Sequence, residues 1–253
     1  MVETYNHEYM LLNIDKSMYH YDLHPNHPLL LGDNAEIGVK SVFMWFTYPN
    51  ISEKYNNNKV RLYYDEEWHD IIIPTGMYEV SALSEYLNLL ILLAKSDSDE
   101  PLWTTDKNQE TYISLLVNES TFKCRVLLRP DVRIDFSEGG LHELLGLEQK
   151  IYARSEEGPN IINITRGVDR ILLRCNLVER RHQKDIRDVL YDILPIADPG
   201  AAILEQMDNV EYYKCRDEQV RRIEIRVTDK NNNLIDLLEP ISLKIVFRYK
   251  GLR

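Results

Sequence analysis

Residues 222–228 read Arg-Ile-Glu-Ile-Arg-Val-Thr, and residues 241–248 read Ile-Ser-Leu-Lys-Ile-Val-Phe-Arg. Polar and apolar side chains alternate in both stretches, and this period of two is typical of a β-strand that is buried on one face. Between them, residues 229–233 read Asp-Lys-Asn-Asn-Asn, a composition that favours a turn. We therefore predict that the chain closes with two strands joined as a β-arch or a long hairpin.

The same alternation recurs upstream in short segments that are separated by turn residues. The clearest segments are Val42–Phe46, Val60–Tyr64, Ile71–Ile73, Ile113–Val117, Cys124–Leu128 and Ile171–Leu177. In the first of these, Phe43 and Trp45 alternate with Val42 and Met44, so both faces of the strand are apolar. We expect this strand to be covered on both sides.

Two segments have the periodicity of a helix instead. Ser81 precedes an apolar stripe that reaches Ile91, and Ser137 precedes a shorter stripe that stops at Gly146. We predict that each serine caps a helix and that Gly146 ends the second helix. Many short strands with two short helices predict an all-β protein, an antiparallel β-sandwich or jelly roll. Two small packed β-lobes are the alternative architecture.

The composition shows no hard linker between domains. We predict an N-terminal arm with the first strands over residues 1–54, and the sandwich with inserted loops and helices over residues 55–253. A weak seam near residues 153–159, which read Ala-Arg-Ser-Glu-Glu-Gly-Pro, is a possible division of the second part.

Charge and cysteine content exclude several classes of protein. The chain of 253 residues has 41 acidic and 30 basic side chains, a net charge of −11, which opposes nucleic-acid binding by the whole chain. The N-terminus lacks the pattern of a signal peptide, and the apolar run Leu87–Ala94 is too short to span a membrane. Cys124, Cys175 and Cys215 are far apart in sequence, which predicts buried free thiols in a protein that is not secreted.

A histidine-rich run is the first candidate for a metal site. His20, Asp22, His24 and His27 are residue types that bind zinc. However, two prolines interrupt the run, and no second cluster of ligands completes a tetrahedral set. We therefore predict a solvated loop and no metal site.

The turn Asp229–Asn233 begins like a calcium-binding loop, with oxygen ligands at alternate positions. The pattern then fails, because Leu234 stands where the loop requires glycine and Pro240 stands where it requires glutamate. An asparagine-rich turn between two strands explains the segment without calcium.

The segment Asp65–Glu67 places three carboxylates beside Trp68, and paired carboxylates with an aromatic residue are the components of a glycosidase site. Such carboxylates normally come from separate strand ends across a cleft, so we predict a solvated hairpin tip instead. The sequence contains no hydrolase, metalloprotease, phosphate-loop or dinucleotide motif. We predict no catalytic residue, no cofactor and no enzymatic activity.

One dense basic cluster follows a predicted strand, Arg180-Arg181-His182-Gln183-Lys184. Its cations, Arg180, Arg181 and Lys184, form a possible contact surface for an acidic partner or a phosphate backbone. A solvated turn is the alternative interpretation.

Several segments, taken in order along the chain, follow the pattern of one known family. In Ile71–Leu83 an Ile-x-Ile-Pro-x-Gly-x-Tyr turn leads into a helix, and Val132–Leu147 ends in Leu-Leu-Gly-Leu. The later segments are Asn160–Val178, Val189–Gly200, and Ile223–Asp236 with the final strand.

These segments resemble the penton, or minor capsid, proteins of Polinton (Maverick) elements, adintoviruses and virophages. The family usually has Phe where this chain has Leu147, which is a mild departure. Relatives often have an Asn-Gly hairpin where this chain has residues 180–185. The second departure concerns the structure of that loop and its contacts rather than the fold.

The resemblance implies a jelly-roll β-sandwich that forms homopentamers at the vertices of an icosahedral capsid. Its partners would be other copies of itself and a trimeric double-jelly-roll major capsid protein. The protein would lie in the virion, after synthesis in the cytoplasm or nucleus of the host, and it would have no membrane span.

Two other functions remain open from the residues themselves. One is a soluble β-sandwich binding module, lectin-like or receptor-binding, that uses Trp68, Trp103 and surface tyrosines. The other is an enzyme to which the acidic segment Asp65–Glu67 contributes. Self-association would support the capsid function, and glycan binding would support the binding module. Loss of an activity on replacing the three acids would support the enzyme.

Overall fold

The structure is a computed structural model that describes residues 5–32, 34–95, 111–165, 168–179, 188–195, 199–217 and 219–250. Its strands are β1 (Tyr5–Ile14), β2 (Met18–Asp22), β3 (Leu29–Leu30), β4 (Glu36–Trp45), β5 (Lys59–Tyr64), β6 (Glu67–Ile72), β7 (Ile113–Asn118), β8 (Lys123–Leu128), β9 (Arg133–Asp135), β10 (Ile151–Tyr152), β11 (Glu156–Ile161), β12 (Ile171–Cys175), β13 (Val189–Ile193), β14 (Ala202–Gln206), β15 (Tyr212–Lys214), β16 (Gln219–Val220), β17 (Arg222–Thr228) and β18 (Ile241–Lys250). The helices are α1 (Val80–Lys95) and α2 (Leu141–Leu145), with a 3₁₀ turn at Glu53–Tyr55. The strand pairs are antiparallel, which confirms the predicted fold class.

The contacts of the chain divide it into two compact units. The discontinuous unit comprises residues 1–48 and 168–253, and the inserted unit comprises residues 49–167. These boundaries differ from the predicted division into 1–54 and 55–253, which remains a prediction about domains. The predicted seam at 153–159 overlaps β11, which pairs with β8.

Eight strands of the discontinuous unit form two sheets of four. The β1 sheet has the order β1-β18-β4-β14, with β15 also paired to β4, and the β2 sheet has the order β13-β12-β17-β2. The chain changes sheet at every step between these strands except from β12 to β13, and its first strand pairs with its last. This strand order is that of a jelly roll. It therefore confirms the predicted sandwich type.

The two closing strands belong to different sheets. β17 pairs with β12 and β2, whereas β18 pairs with β1 and β4, so the connection is a β-arch and not a hairpin. Ile223 and Ile225 of β17 and Leu243 and Ile245 of β18 are fully buried. Burying each of these side chains contributes roughly 1.5–3 kcal/mol to the stability of the fold. The apolar residues that identify the strands therefore also stabilise the packing of the two sheets.

The strand β4 differs from its prediction. Val42 and Met44 are buried on one face, but on the other face Phe43 is half-buried and Trp45 is 43% exposed. The expectation that both faces are covered is therefore wrong at the outer face. A β-bulge at Lys40, where the register with β18 shifts, changes which residues point outward along the strand.

The inserted unit contains the sheets β10-β9-β5-β6 and β11-β8-β7 together with both helices. Leu83, Leu87 and Ile91 of α1 are fully buried, as the helical stripe predicts. Within the residues described, no helix is both long enough and apolar enough to cross a membrane.

The helix starts, in contrast, differ from the predicted serine caps. Helix α1 begins at Val80, and the Ser81 hydroxyl bonds to the Glu79 carboxylate instead of capping the backbone. Helix α2 follows Gly140 without a side-chain cap, and the backbone N–H of Ser137 donates to Asp135. Both predicted caps are wrong. The predicted stop is confirmed, because Gly146 ends α2 with a φ of +67°.

Candidate functional site

The histidine run lies in and after β2 and does not converge on one point. His20 faces Glu224 across the β2–β17 pair, with 3.5 Å between Nδ1 and the carboxylate, and Asp22 accepts a hydrogen bond from Arg222 at 2.5 Å. The rings of His24 and His27 follow the strand, with their centroids 5.3 Å apart. Among the described residues no group of three or more His, Cys, Asp or Glu side chains is arranged to bind a metal ion.

The turn after β17 uses its carboxylate within the turn itself. Asp229 Oδ1 accepts the backbone N–H groups of Asn231 and Asn233, both at 2.8 Å, and Oδ2 accepts the Asn233 side-chain amide at 2.9 Å. Lys230 forms an ion pair with Asp169 at 2.7 Å. The oxygen atoms that resembled calcium ligands therefore stabilise an asparagine-rich turn.

The acidic segment at residues 65–67 forms the tip of the β5–β6 hairpin. Asp65 and Glu66 have φ angles of +51° and +66°, as a two-residue type I′ turn requires, and all three acids are exposed. Trp68 packs edge-on against Tyr63 and lies 5.1 Å from the Arg61 guanidinium. The carboxylates project from one tip instead of facing each other across a cleft, which is not the geometry of a glycosidase site.

The basic cluster Arg180, Arg181 and Lys184 lies outside the described residues, and so does Trp103. Its role as a contact surface stays a prediction. The three cysteines are described, and Cys124, Cys175 and Cys215 are free and buried. Burial raises the pKa of each thiol to about 12, so these cysteines are thiols of low reactivity.

The turn motif at residues 71–78 is held by one buried amide. Asn50 is fully buried; its Nδ2 donates to the carbonyl oxygens of Tyr78 (2.8 Å) and Ile164 (2.9 Å), and its Oδ1 accepts the Tyr78 N–H (2.9 Å). The backbone N–H of Gly76 donates to Ile51 at 3.0 Å. This motif of the resemblance therefore joins three chain segments of the inserted unit, and its role there is structural.

The glycine of the Leu-Leu-Gly motif permits close backbone packing. A Cβ on Gly146 would lie 2.5 Å from the Asn160 carbonyl oxygen, and a Cβ on Gly158 would lie 2.7 Å from the Gly146 carbonyl oxygen. Only glycine fits at such distances. The second motif therefore fixes how α2 meets β11.

The outer face of the β1 sheet carries a group of apolar and aromatic side chains. We name this surface the aromatic face; it comprises Tyr9, Leu11, Phe43, Trp45, Leu204 and Tyr212. Leu11 is 71% exposed, Leu204 69%, Tyr9 55% and Trp45 43%, although all four lie in regular strands. They lie on β1, β4 and β14, and β18 contributes the outward residues Ser242 and Lys244 between β1 and β4. Exposed apolar side chains on one face of a sheet are typical of an interaction surface.

Cations lie against the rings of the aromatic face. The Arg248 guanidinium is 3.9 Å from the centre of the Tyr212 ring and 5.0 Å from that of Tyr5, and its Nε donates to Glu36 at 2.7 Å. The Lys244 ammonium is 5.1 Å from the Tyr9 ring. These cation–π contacts hold long side chains in place on an open surface.

The outer face of the β2 sheet carries paired charges instead. We name it the ionic face; it comprises Asp22, Arg174, Asp188, Arg222, Glu224 and Arg226. Arg174 is buried and donates to Thr228 (3.0 Å) and to Asp188 (2.9 Å), and Asp188 also accepts from Arg226. Each arginine of this face therefore pairs with an aspartate of the same face.

Sequence reasoning missed the aromatic face as a candidate site. Phe43 and Trp45 were interpreted as covered, and β1, which contributes Tyr9 and Leu11, has no clean alternation at Asn6-His7-Glu8. The available signal was the aromatic pair at alternate positions of one strand. That signal distinguishes an open apolar face from a covered one only when the neighbouring strands are known.

Comparison with known proteins does not assign the chain to a family. No protein-family model matches the sequence, and no curated protein matches it. Among solved structures, the chain is similar to the selenomethionine-labelled crystal structure of the mavirus penton protein, with a TM-score of 0.46 and 13% sequence identity. The alignment covers 96% of this chain and 99% of the mavirus chain. At that identity and TM-score the likeness does not establish a family.

Proposed function

We propose that this chain is a structural minor capsid protein, a penton, that forms homopentamers at the vertices of an icosahedral virus-like capsid. The observation that carries the proposal is the jelly-roll strand order of the discontinuous unit. The ordered resemblance to penton proteins of Polinton elements, adintoviruses and virophages implied this fold. Alternation alone had left a general sandwich and two β-lobes open.

The surface of the molecule supports a role in assembly. A closed five-fold ring needs side-to-side contacts between two different patches of each copy. Such contacts are typically rich in tyrosine, tryptophan and arginine, and they retain water at their rim. The aromatic face combines these residue types, with Trp45 and Tyr9 exposed and Arg248 stacked between two tyrosines.

The proposal names partners and a location. The partners are other copies of the chain and a double-jelly-roll major capsid protein, and the location is the capsid vertex of the virion after synthesis in the cytoplasm or nucleus of the host. No catalytic role, cofactor or membrane insertion forms part of the proposal. Arg180, Arg181 and Lys184 are proposed as an additional contact with an acidic partner, and replacing all three with alanine tests this by its effect on assembly.

Native mass spectrometry of the purified chain over a range of concentrations tests the proposal. We expect a pentamer, either alone or on co-expression with a double-jelly-roll major capsid protein, and ring-shaped particles in electron micrographs. A chain that stays monomeric under both conditions would contradict the proposal. A monomer that binds defined sugars on a glycan array would favour the binding-module hypothesis instead.

A further inference from the structure

The aromatic face is positively charged, although the protein as a whole is acidic. Its strands and β15 place four cations at outward register positions, Lys214, Lys244, Arg248 and Lys250. Glu36 is the one carboxylate at an outward position of these strands in the part of the chain that the structure describes, and it pairs with Arg248. Glu179, from the segment after β12, pairs with Lys214 at 3.5 Å, so the face has four cations against two carboxylates. The whole chain, in contrast, has 41 acidic and 30 basic side chains. The charge of the face is therefore complementary to that of most of the remaining surface.

We infer that the aromatic face binds an acidic surface of a second copy of this chain. This inference rests on the proposed function and specifies the contact that closes the ring. Because the face and the acidic surface are different patches of one molecule, the contact is heterologous and not a symmetric dimer contact. Charge complementarity selects a second copy as the occupant, since each copy carries both patches at equal concentration.

The side chains of the face are suited to form such a contact. Leu11 and Leu204 are the most exposed apolar residues of the face, and removing them from water provides a driving force for association. Lys244 and Arg248 are already held over tyrosine rings at 5.1 Å and 3.9 Å, so they lose little conformational freedom on docking.

A nucleic acid is the competing occupant, because basic and aromatic side chains together also bind single strands. The net charge of −11 opposes a polyanion as it approaches the molecule. A protein surface can also bury Leu11 and Leu204, which favours a second copy over a nucleic acid. Binding of a single-stranded oligonucleotide is therefore measured in the same experiment as an alternative outcome.

The test uses a double variant of the full chain, Leu11→Glu with Leu204→Glu, and a matched control, Ile72→Glu with Ile161→Glu. The control residues are similarly exposed, at 66% and 63%, and end strands β6 and β11 of the inserted unit. Sedimentation velocity and native mass spectrometry measure assembly at low and high ionic strength. We expect assembly of the face variant to weaken by about 100-fold, because glutamates on this face repel an acidic partner. We expect the control to assemble like the wild type.

A third variant, Lys244→Glu, repeats the test without changing an apolar residue. Equal thermal unfolding midpoints of the variants and the wild type show that the fold is retained. If the wild type, the control and both face variants assemble equally, the inference is wrong and the proposed function stands. If the wild type does not assemble, alone or with the major capsid protein, the proposed function fails and the inference fails with it. If the face variants assemble normally but lose oligonucleotide binding, the face binds nucleic acid and the inference is wrong.

Discussion

The two outer faces of the jelly roll belong to one sandwich but meet the solvent in opposite ways. On the ionic face, Arg174, Asp188 and Arg226 satisfy one another, and Arg222 pairs with Asp22. On the aromatic face, Leu11 and Leu204 project into solvent with about seven-tenths of their surface exposed. The difference shows that packing the core between the two sheets constrains only the side chains that point inward.

The outward positions therefore show what each sheet does beyond folding. Paired charges keep a face hydrated, so the face gains little free energy by binding another surface. An open apolar face with stacked cations costs solubility, and such faces usually mark interaction sites. The following substitutions test how strongly each face contributes to the stability of the fold.

The largest effect is expected at the buried part of the ionic face. Asp188→Asn keeps a residue that tolerates the φ of +65° at this position but removes the carboxylate that pairs with Arg174 and Arg226. Because Arg174 is buried, we expect a loss of about 3 kcal/mol in the free energy of unfolding. Urea unfolding followed by tryptophan fluorescence measures it.

Asp22→Asn is the matched control for that prediction. It makes the same change in the exposed pair with Arg222, where solvent screens both charges. We expect a much smaller shift of the urea midpoint than for Asp188→Asn. Equal shifts would show that the ionic face stabilises the fold uniformly and that burial of Arg174 adds nothing.

The next effect is expected under the aromatic face, at Gly38. A Cβ there would lie 2.4 Å from Val210 Cγ1 and 2.7 Å from the Glu211 carbonyl oxygen. Gly38→Ala must therefore displace the chain before β15, and we expect it to destabilise the fold by about 2 kcal/mol. Gly140→Ala is the control, because the nearest atoms to its added Cβ are at 3.5 Å. A small effect of Gly38→Ala would mean that this part of the face is loosely packed.

How much of this arrangement follows from the sequence depends on the range of the interactions. Alternation is local, and it predicted the strands β5, β7, β8, β17 and β18. It left the arch and the hairpin open, because alternation within a strand does not specify its partner. The partner of β18 is β1, where Tyr5 pairs with Lys250 from the other end of the chain. Only tertiary structure supplies such a pairing.

The candidate site was less predictable than the fold for a related reason. Phe43 and Trp45 have the composition of a buried face, and their exposure depends on the strands β14 and β18 beside them. The serine caps failed for a local reason: the Glu79 carbonyl already accepts the Leu83 N–H, so α1 starts before Ser81. The turn at residues 229–233, by contrast, was predictable because Asp229 bonds only within five residues.

A smaller effect is expected at the cations of the two faces. Arg248→Lys keeps the charge but loses the planar group that stacks on Tyr212 and donates to Glu36. We expect a loss of about 1 kcal/mol, since lysine reproduces neither geometry. Arg222→Lys on the ionic face is the control and is expected to leave the urea midpoint close to that of the wild type. If Arg222→Lys lowered the urea midpoint more than Arg248→Lys did, the stacking of Arg248 on Tyr212 would not contribute to the stability of the fold.

The smallest effect is the dependence of the ionic face on pH. The hydrogen bond from Arg222 holds the pKa of Asp22 below its ordinary value, and Lys230 does the same for Asp169. In the unfolded chain an aspartate has a pKa of about 3.9, so at low pH the unfolded state binds more protons than the folded state. The contribution of these pairs is therefore present above about pH 4 and is lost as the pH falls through the folded pKa.

Nuclear magnetic resonance titration of the aspartate carboxyl carbons measures this directly. In the wild type we expect Asp22 to titrate below the ordinary value, and in Arg222→Gln we expect it to return to that value while Asp169 is unchanged. Lysine and arginine side chains in general are protonated throughout this pH range. Assembly through that face should therefore weaken at low pH only as the acidic partner surface becomes protonated. If Arg222→Gln abolished assembly at neutral pH, the ionic face would take part in the contact, and the division of roles between the two faces would be wrong.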